Sequence, residues 1–183
     1  MTIRAKLAIN VLLLLGFSLA VIAVLIATNR TIDDATGKGM FADRIVVGAA
    51  AMNAITYDYM LKPSERARQQ WELKHASLGR LIAEAPFTME QKRAILNRIA
   101  ENHRDAARFF QRILDNNGKK RQAAPAARAL IAESNERNMA QLIARSQSMI
   151  SEANALARAS RAEVEQAHSR AFWLIVAAIL LAM

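Results

Sequence analysis

The segment Leu7–Ala27, LAINVLLLLGFSLAVIAVLIA, decides the fold that this sequence predicts. Its 21 residues include no charged side chain, and only Asn10 and Ser18 are clearly polar. As an α-helix the segment would be about 31 Å long, close to the hydrocarbon thickness of a bilayer. Because a backbone in lipid must satisfy its hydrogen bonds within its own segment, a helix is the form that fits. The segment therefore predicts a first transmembrane helix over residues 7–27.

A second apolar segment, Ala171–Met183, has the sequence AFWLIVAAILLAM and is 13 residues long. This is too short to cross a bilayer, so we interpret residues 171–183 as the truncated start of a second transmembrane helix in a longer protein. The polar residues 28–170 between the two segments are expected to form one domain. Arg4 and Lys6 precede the first segment and favour a cytoplasmic N-terminus over residues 1–6. Residues 28–170 are then expected outside the cytoplasm, which in a Gram-negative cell means the periplasm.

The competing interpretation of residues 7–27 is a cleaved signal peptide. The apolar core of such a peptide has about 7–15 residues, and the present segment is longer. Leu25 and Ala27 also make a poor small-x-small cleavage site. We therefore expect a membrane anchor that the mature protein retains.

The composition is strongly basic, with 25 Lys and Arg against 16 Asp and Glu and a formal net charge of +9. The basic residues of 28–170 are spread over the whole segment and interleaved with all 16 acidic residues. Nucleic-acid binding proteins gather their basic residues on one face, so this pattern predicts no nucleic-acid partner. The sequence has no cysteine, which excludes disulfides and thiolate metal sites within it.

Residues 28–170 carry apolar and small residues at alternating spacings of three and four, the pattern of helices that pack along a seam. Four such helices with short connections predict an all-α fold, an up-down-up-down antiparallel four-helix bundle. Its first and fourth helices are expected to continue into the transmembrane helices. The four seams in chain order are Phe41, Ile45, Gly48, Met52, Ile55 and Tyr59; Ala67, Trp71, His75, Leu78, Ile82 and Ala85; Leu96, Ile99, His103, Ala106, Phe110 and Ile113; and Ala132, Asn135, Met139, Leu142, Ser146, Met149, Ala153, Leu156, Ser160, Val164 and Ala167.

Local signals predict where the helices begin and end. Ser64 after a proline predicts the N-cap of the second helix. Thr88 followed by Gln91 fits a capping box at the start of the third helix. The tripeptide Asn116–Gly118 predicts the end of that helix, because glycine suits the left-handed cap position. Pro125 fits the first turn of the fourth helix.

No catalytic motif is present, since the sequence contains no phosphate-binding glycine loop, no nucleophile elbow and no HExxH. We therefore predict no catalytic residue, no cofactor and no enzyme activity within these residues. His75 and His103 fall on adjacent seams and are weak candidates for a shared metal ion. No Asp, Glu or Cys clearly completes such a site. The alternative is a pair of interior or half-buried histidines with local hydrogen bonds.

The end of the bundle away from the membrane gathers eight basic residues, and helix starts near residues 64 and 125 add partial positive charge. We hypothesise that this tip, or a cleft beneath it between two copies of the chain, recognises a small anion or an acidic protein partner. The alternative is a solvated cap whose charge serves solubility. The candidate ligand-binding residues are Lys62, Arg66, Arg68, Arg112, Lys119, Lys120, Arg121 and Arg128.

The order of these segments resembles the sensor half of bacterial transmembrane receptors, namely sensor histidine kinases and methyl-accepting chemotaxis receptors. Tyr59–Trp71, YMLKPSERARQQW, continuing to His75–Leu78, is similar to periplasmic input domains of proteobacterial sensor kinases. Glu101–Arg104 followed by Phe109–Phe110 also resembles their third helix. The resemblance implies a homodimer, a role in stimulus sensing for a two-component system, and a kinase output beyond the last residue. A chemotaxis-type receptor, a cyclic-dinucleotide output and a membrane-tethered scaffold remain alternatives.

The fourth predicted helix has features suited to signal transmission. It contains no proline or glycine from Ala126 to Met183, so it can move as one element. Phe172 and Trp173 are placed to anchor it at the membrane interface. We expect the signal to travel as a shift or rotation of helix four against helix one. The small seam residues that would permit such sliding are Ser146, Ala153 and Ser160.

Overall fold

The computed structural model describes the backbone of residues 3–182 and the side chains of residues 11–12 and 15–180. Within that range the chain forms α-helices and no β-strand, so the predicted all-α class is confirmed. The four helices are α1, Ile3–Leu61; α2, Glu65–Ala83; α3, Glu90–Lys120; and α4, Pro125–Ala182.

The described chain divides into two compact units. One comprises the residues up to Gly39 and those from Arg158 onward, and the other comprises Met40–Ala157. We call Met40–Ala157 the helical core unit. Helices α1 and α4 each contribute residues to both units.

Helix α1 contains the one segment of the described residues that is long and apolar enough to cross a membrane. The segment lies within Leu15–Leu61, and its mean hydropathy is 1.7. A signal sequence near the N-terminus can also be an apolar helix, so retention of the segment as a membrane anchor stays a prediction. In the predicted first span, the side chains of residues 7–10 and 13–14 lie outside those described. The second predicted segment is helical as far as Ala182, and its last three side chains also lie outside the description.

The helical core unit is organised by the predicted seams. Its buried side chains come from all four helices and form one hydrophobic cluster. Burying a large aliphatic or aromatic side chain contributes about 1.5–3 kcal/mol, so this cluster is the main source of stability in the unit. The seam residues in the cluster include Ile45, Met52, Tyr59, Ala67, Trp71, Leu78, Ile82, Ile99, Ala106, Phe110, Ile113, Leu142, Met149, Ala153 and Leu156.

The start of α2 follows its local signal, whereas the start of α3 does not. The Ser64 hydroxyl accepts a hydrogen bond from the Ala67 N–H at 3.2 Å, which confirms the predicted N-cap. The capping box at Thr88 is wrong, because α3 has Met89 as its N-cap and no side-chain cap bond within the described residues. Phe87 is buried and packs edge-on against Phe41, so tertiary packing fixes the path of this connection.

The predicted stop at Asn116–Gly118 is also wrong, since α3 continues to Lys120 and Gly118 has no positive φ. The asparagine amides bond to other helices instead of forming a local turn. Asn116 Nδ2 donates to Asn135 Oδ1 at 2.9 Å, and Asn135 Nδ2 donates to Asn117 Oδ1 at 2.9 Å. Helix α4 then begins at Pro125, as predicted, and continues unbroken to Ala182.

Candidate functional site

His75 and His103 form a reciprocal pair between α2 and α3. His75 Nε2 lies 3.1 Å from the His103 carbonyl oxygen, and His103 Nε2 lies 3.0 Å from the His75 carbonyl oxygen. A carbonyl oxygen only accepts, so each Nε2 carries a hydrogen and donates it. The two rings stack with their centroids 3.7 Å apart and their planes 13° apart. Each histidine therefore binds the backbone of the other helix through its ring.

Burial favours the neutral form of both rings. Desolvation lowers the pKa of His75, although its hydrogen bond to the His103 carbonyl acts in the opposite direction. Burial also lowers the pKa of His103, to about 4, and the charge fields of His75 and Arg104 add to the effect. The pair is consequently neutral near pH 7, with a hydrogen on Nε2 of each ring.

The histidine pair ends a stack of rings that crosses the core. We call the five residues Tyr59, Phe110, Trp71, His75 and His103 the aromatic column. The Trp71 ring stacks on His75 at 5.0 Å and on Phe110 at 3.9 Å between centroids. Tyr59 meets Phe110 edge-on at 5.2 Å. The column thus joins α1, α2 and α3 within the helical core unit.

Gly79 makes room for the outermost ring of the column. A Cβ atom added at Gly79 would lie 2.9 Å from His103 Cε1, closer than real side chains approach. Beside it is a cavity of about 350 Å³, whose lining includes Gly79, His103, Asn97 and Arg104. Because Asn97 and Arg104 are exposed, this cavity connects the His103 ring with solvent.

The histidine pair does not have the geometry of a metal centre. Both Nε2 atoms already face carbonyl oxygens, and stacked rings cannot direct their nitrogens at one ion. The part of the chain that the structure describes also holds no group of three or more His, Cys, Asp or Glu residues placed to bind a metal. What the arrangement can do chemically is bind protons at Nδ1 of the two rings.

The predicted basic tip is a surface rather than an enclosed site. Three of its eight residues already have partners: Arg68 pairs with Glu65, Arg128 donates to the Ala123 carbonyl, and Arg112 lies over the Phe109 ring. The Ser64 hydroxyl takes the Ala67 N–H at the start of α2. Anion recognition at the tip stays a prediction. The other five basic residues of the tip are exposed and make no side-chain hydrogen bond or ion pair among the described residues. They are Lys62, Arg66, Lys119, Lys120 and Arg121.

A polar network between α3 and α4 was not predicted from the sequence. The Asn102 amide donates to Ser148 Oγ at 3.1 Å, and its oxygen accepts from Arg145 at 3.2 Å. Arg145 also pairs with the buried carboxylate of Asp105 at 3.5 Å. Asn102 and Asp105 are three residues apart on α3, so the signal available in the sequence was a short polar stripe beside the seam.

A groove of about 520 Å³ between α1 and α2 was also not predicted from the sequence. Leu78 and Gly48 are part of its lining, and a Cβ atom at Gly48 would lie 2.9 Å from Leu78 Cδ1. Gly48 therefore permits the close approach of the two helices. Three cations without ion-pair partners among the described residues also line it: Arg44, Lys74 and Arg80.

Comparison with known proteins adds no relative, because no family model, no curated protein and no solved structure matches this chain.

Proposed function

We propose that this chain is the stimulus-sensing and signal-transmitting input module of a bacterial transmembrane sensor kinase. Residues 28–170 would lie in the periplasm and α1 would anchor them in the inner membrane. The observation that carries the proposal is the change of environment along one unbroken helix, α1. Leu19, Ile22 and Ile26 are exposed, whereas Ile45 and Met52 are buried in the core. An exposed apolar segment of this length needs a covering, and a lipid bilayer provides it.

Contacts within the helical core unit support the up-down-up-down bundle expected of such a module. Phe41 in α1 meets Phe87, which lies between α2 and α3. Near the other end of α1, the Tyr59 hydroxyl accepts from Asn117, near the end of α3. These contacts support an α2 that runs opposite to α1 and an α3 that runs parallel to α1. The α3–α4 bonds pair residue 116 with 135 and residue 102 with 148, which supports an antiparallel α4.

A stripe on the outer face of α1 supports the proposed homodimer. Val47 is 65% exposed and Leu61 is 87% exposed, although both are large apolar residues. The stripe repeats at the 3-4 spacing by which parallel helices pack, and copies anchored in one membrane are parallel. A second copy of the chain is the partner that has the same stripe. Its members are Met40, Val47, Ala50, Ala54, Tyr57 and Leu61, all exposed.

Helix α4 supports transmission by a shift along its axis. It is one helix, and its small residues Ser146, Ala153 and Ser160 are fully buried. Small residues at a packed seam let helices slide with little steric cost, and shifts of about 1–2 Å are a known switching motion. Phe172 and Trp173 are exposed and suited to hold the helix at the membrane interface.

The test of this function uses the full-length protein in its own membrane. The phosphorylated fraction is measured across growth media that differ in pH, ionic strength and carboxylates. Ala157→Pro should make this fraction independent of the medium while membrane insertion is retained, because proline kinks a helix and removes one hydrogen bond. Ala157→Gly, which keeps the N–H, is the matched control. Normal regulation in the proline variant would contradict transmission through α4. A phosphorylated fraction that does not change with the medium even in the unaltered chain would favour the membrane-tethered scaffold, and a regulated output without phosphorylation would favour a chemotaxis-type receptor.

A further inference from the structure

We propose that His75 and His103 form a proton-binding site, and that external acid is a stimulus which loosens the packing of α2 against α3 through this site. The part that names acid as a stimulus rests on the proposed function. The part that assigns proton binding to the pair rests on the geometry of the two rings alone.

The reciprocal geometry limits how many protons the pair can hold. Both Nε2 atoms already donate to carbonyl oxygens, so an added proton goes to Nδ1. One charged ring strengthens its own hydrogen bond to the facing carbonyl. Two charged rings would face each other with centroids 3.7 Å apart and repel strongly. The second proton therefore drives the rings apart, and both ring-to-carbonyl bonds are lost with the stack.

A proton can reach the pair from solvent. The cavity beside Gly79 borders the His103 ring, and its wall includes the exposed residues Asn97 and Arg104. The same cavity offers space into which the His103 ring can move when the stack separates. Both features are needed for a site that responds to the external medium.

The charged surroundings do not neutralise a second proton. Arg104 opposes protonation of His103 through its positive charge. The nearby carboxylate of Asp105 is already paired with Arg108 and Arg145. The side chains that α1 places against Trp71 and Phe110 are the uncharged hydroxyl groups of Thr56 and Tyr59. Within four residues of either histidine, α2 also carries Glu72 and Lys74, and α3 also carries Glu101. On α4, Glu152 accepts a hydrogen bond from Asn102, the neighbour of His103 in the chain.

The aromatic column provides a route from the pair to α1. Trp71 stacks on the face of His75, and its indole N–H donates to Thr56 in α1. Displacement of His75 by its charged partner removes one of the two rings between which Trp71 is stacked. A change at the α2–α3 contact is thus passed to the helix that carries the proposed membrane anchor.

Trp71 is also a reporter placed at the site, because a cationic ring against an indole changes its fluorescence. The experiment uses the whole chain in lipid nanodiscs with Trp173→Phe, which leaves Trp71 as the one tryptophan. Titration from about pH 7.5 to about pH 4 should show a fluorescence transition with its midpoint below about pH 6. The double variant His75→Gln and His103→Gln, whose amides can still donate to the carbonyls, should lose this transition. His168→Gln, a change at an exposed histidine, should retain it.

Two results would overturn the proton site: an identical transition in the double variant, or nitrogen NMR in which both rings of the unaltered chain titrate near pH 6.5. The NMR measurement tests the proton site on the unaltered chain, so it remains valid even where the double variant does not fold. A histidine-dependent transition with no change of phosphorylation in acid would overturn acid as the stimulus. None of these three results depends on the outcome of the Ala157→Pro test, so failure here is distinguishable from failure of the proposed function.

Discussion

The indole N–H of Trp71 donates a hydrogen bond of 3.0 Å to the hydroxyl of Thr56 and ties α2 to α1 at the centre of the core. Thr56 in turn donates to the Met52 carbonyl at 2.8 Å, so its lone pairs are directed at the indole. Trp71 is only 3% exposed, and its ring stacks on Phe110 from α3. Three helices therefore meet at this one side chain, which makes it the most informative position for testing the packing.

Trp71→Ala should lower the free energy of unfolding by about 3–5 kcal/mol, because it removes a large buried ring and leaves a cavity. The measurement is urea unfolding of the whole chain in detergent micelles, followed by circular dichroism. Leu73→Ala is the matched control on the same helix, since Leu73 is 72% exposed, and it should change stability by less than about 0.5 kcal/mol. Equal effects of the two substitutions would contradict the assignment of Trp71 to the core.

Thr56→Val tests the hydrogen bond rather than the packing. Valine has nearly the same shape but leaves the buried indole N–H without an acceptor, which should cost about 1–3 kcal/mol. Thr56→Ser keeps the hydroxyl and should retain most of the stability that Thr56→Val loses. The same unfolding measurement applies. A valine variant as stable as the unaltered chain would show that the Trp71–Thr56 bond does not contribute.

Gly79→Ala should destabilise the protein by about 1–3 kcal/mol, since the new Cβ would press on the stacked and hydrogen-bonded His103 ring. Glycine to alanine inside a helix normally stabilises by about 0.5–1 kcal/mol, so the sign of the effect is the test. Gly118→Ala is the matched control, because a Cβ there meets nothing within 4 Å. Gly118→Ala should show the ordinary gain in stability of about 0.5–1 kcal/mol. Stabilisation by both substitutions would mean that His103 does not lie against Gly79.

Stability should fall in acid because of the histidine pair. Burial lowers the pKa of both rings, so between the folded and unfolded values the unfolded chain binds more protons than the folded chain. The contribution of the neutral histidine pair to the free energy of unfolding is complete above about pH 6.5. It is lost as the pH falls toward 4, where the pKa of His103 lies. Near pH 5 the loss should be about 1–2 kcal/mol, measured by unfolding at several pH values. A His103→Asn variant with an unchanged pH profile would contradict this assignment.

Local and periodic features of the fold were predictable from the sequence. The seams were found because burial repeats with the helical period, and Ser64 was found because an N-cap involves only adjacent residues. The local signals at Thr88 and Asn116–Gly118 gave wrong helix boundaries because contacts with residues distant in sequence determine the structure there. Phe87 is buried against Phe41, and the asparagine amides bond to α4. Local turn signals carry no information about such partners.

The candidate site was predictable in position but not in geometry. The sequence places His75 and His103 on adjacent seams, and this is where they lie. Their reciprocal bonds depend on the relative height and rotation of α2 and α3, which heptad spacing does not define to the accuracy of a hydrogen bond. Gly79, four residues after His75, was the usable signal, because a glycine on a helix face can mark a close approach. The network around Asn102 needed the register of α3 against α4.

The central claim is that α4 carries a signal across the membrane, and the vertical position of Trp173 tests it most directly. The full-length protein is compared in two variants that move the indole one residue either way: Phe172→Trp with Trp173→Phe, and Trp173→Leu with Leu174→Trp. Since an interfacial tryptophan sets the resting height of a helix, the phosphorylated fraction should change in opposite directions in the two variants. An unchanged fraction in both, with normal membrane insertion, would contradict the account and leave α4 as an anchor only.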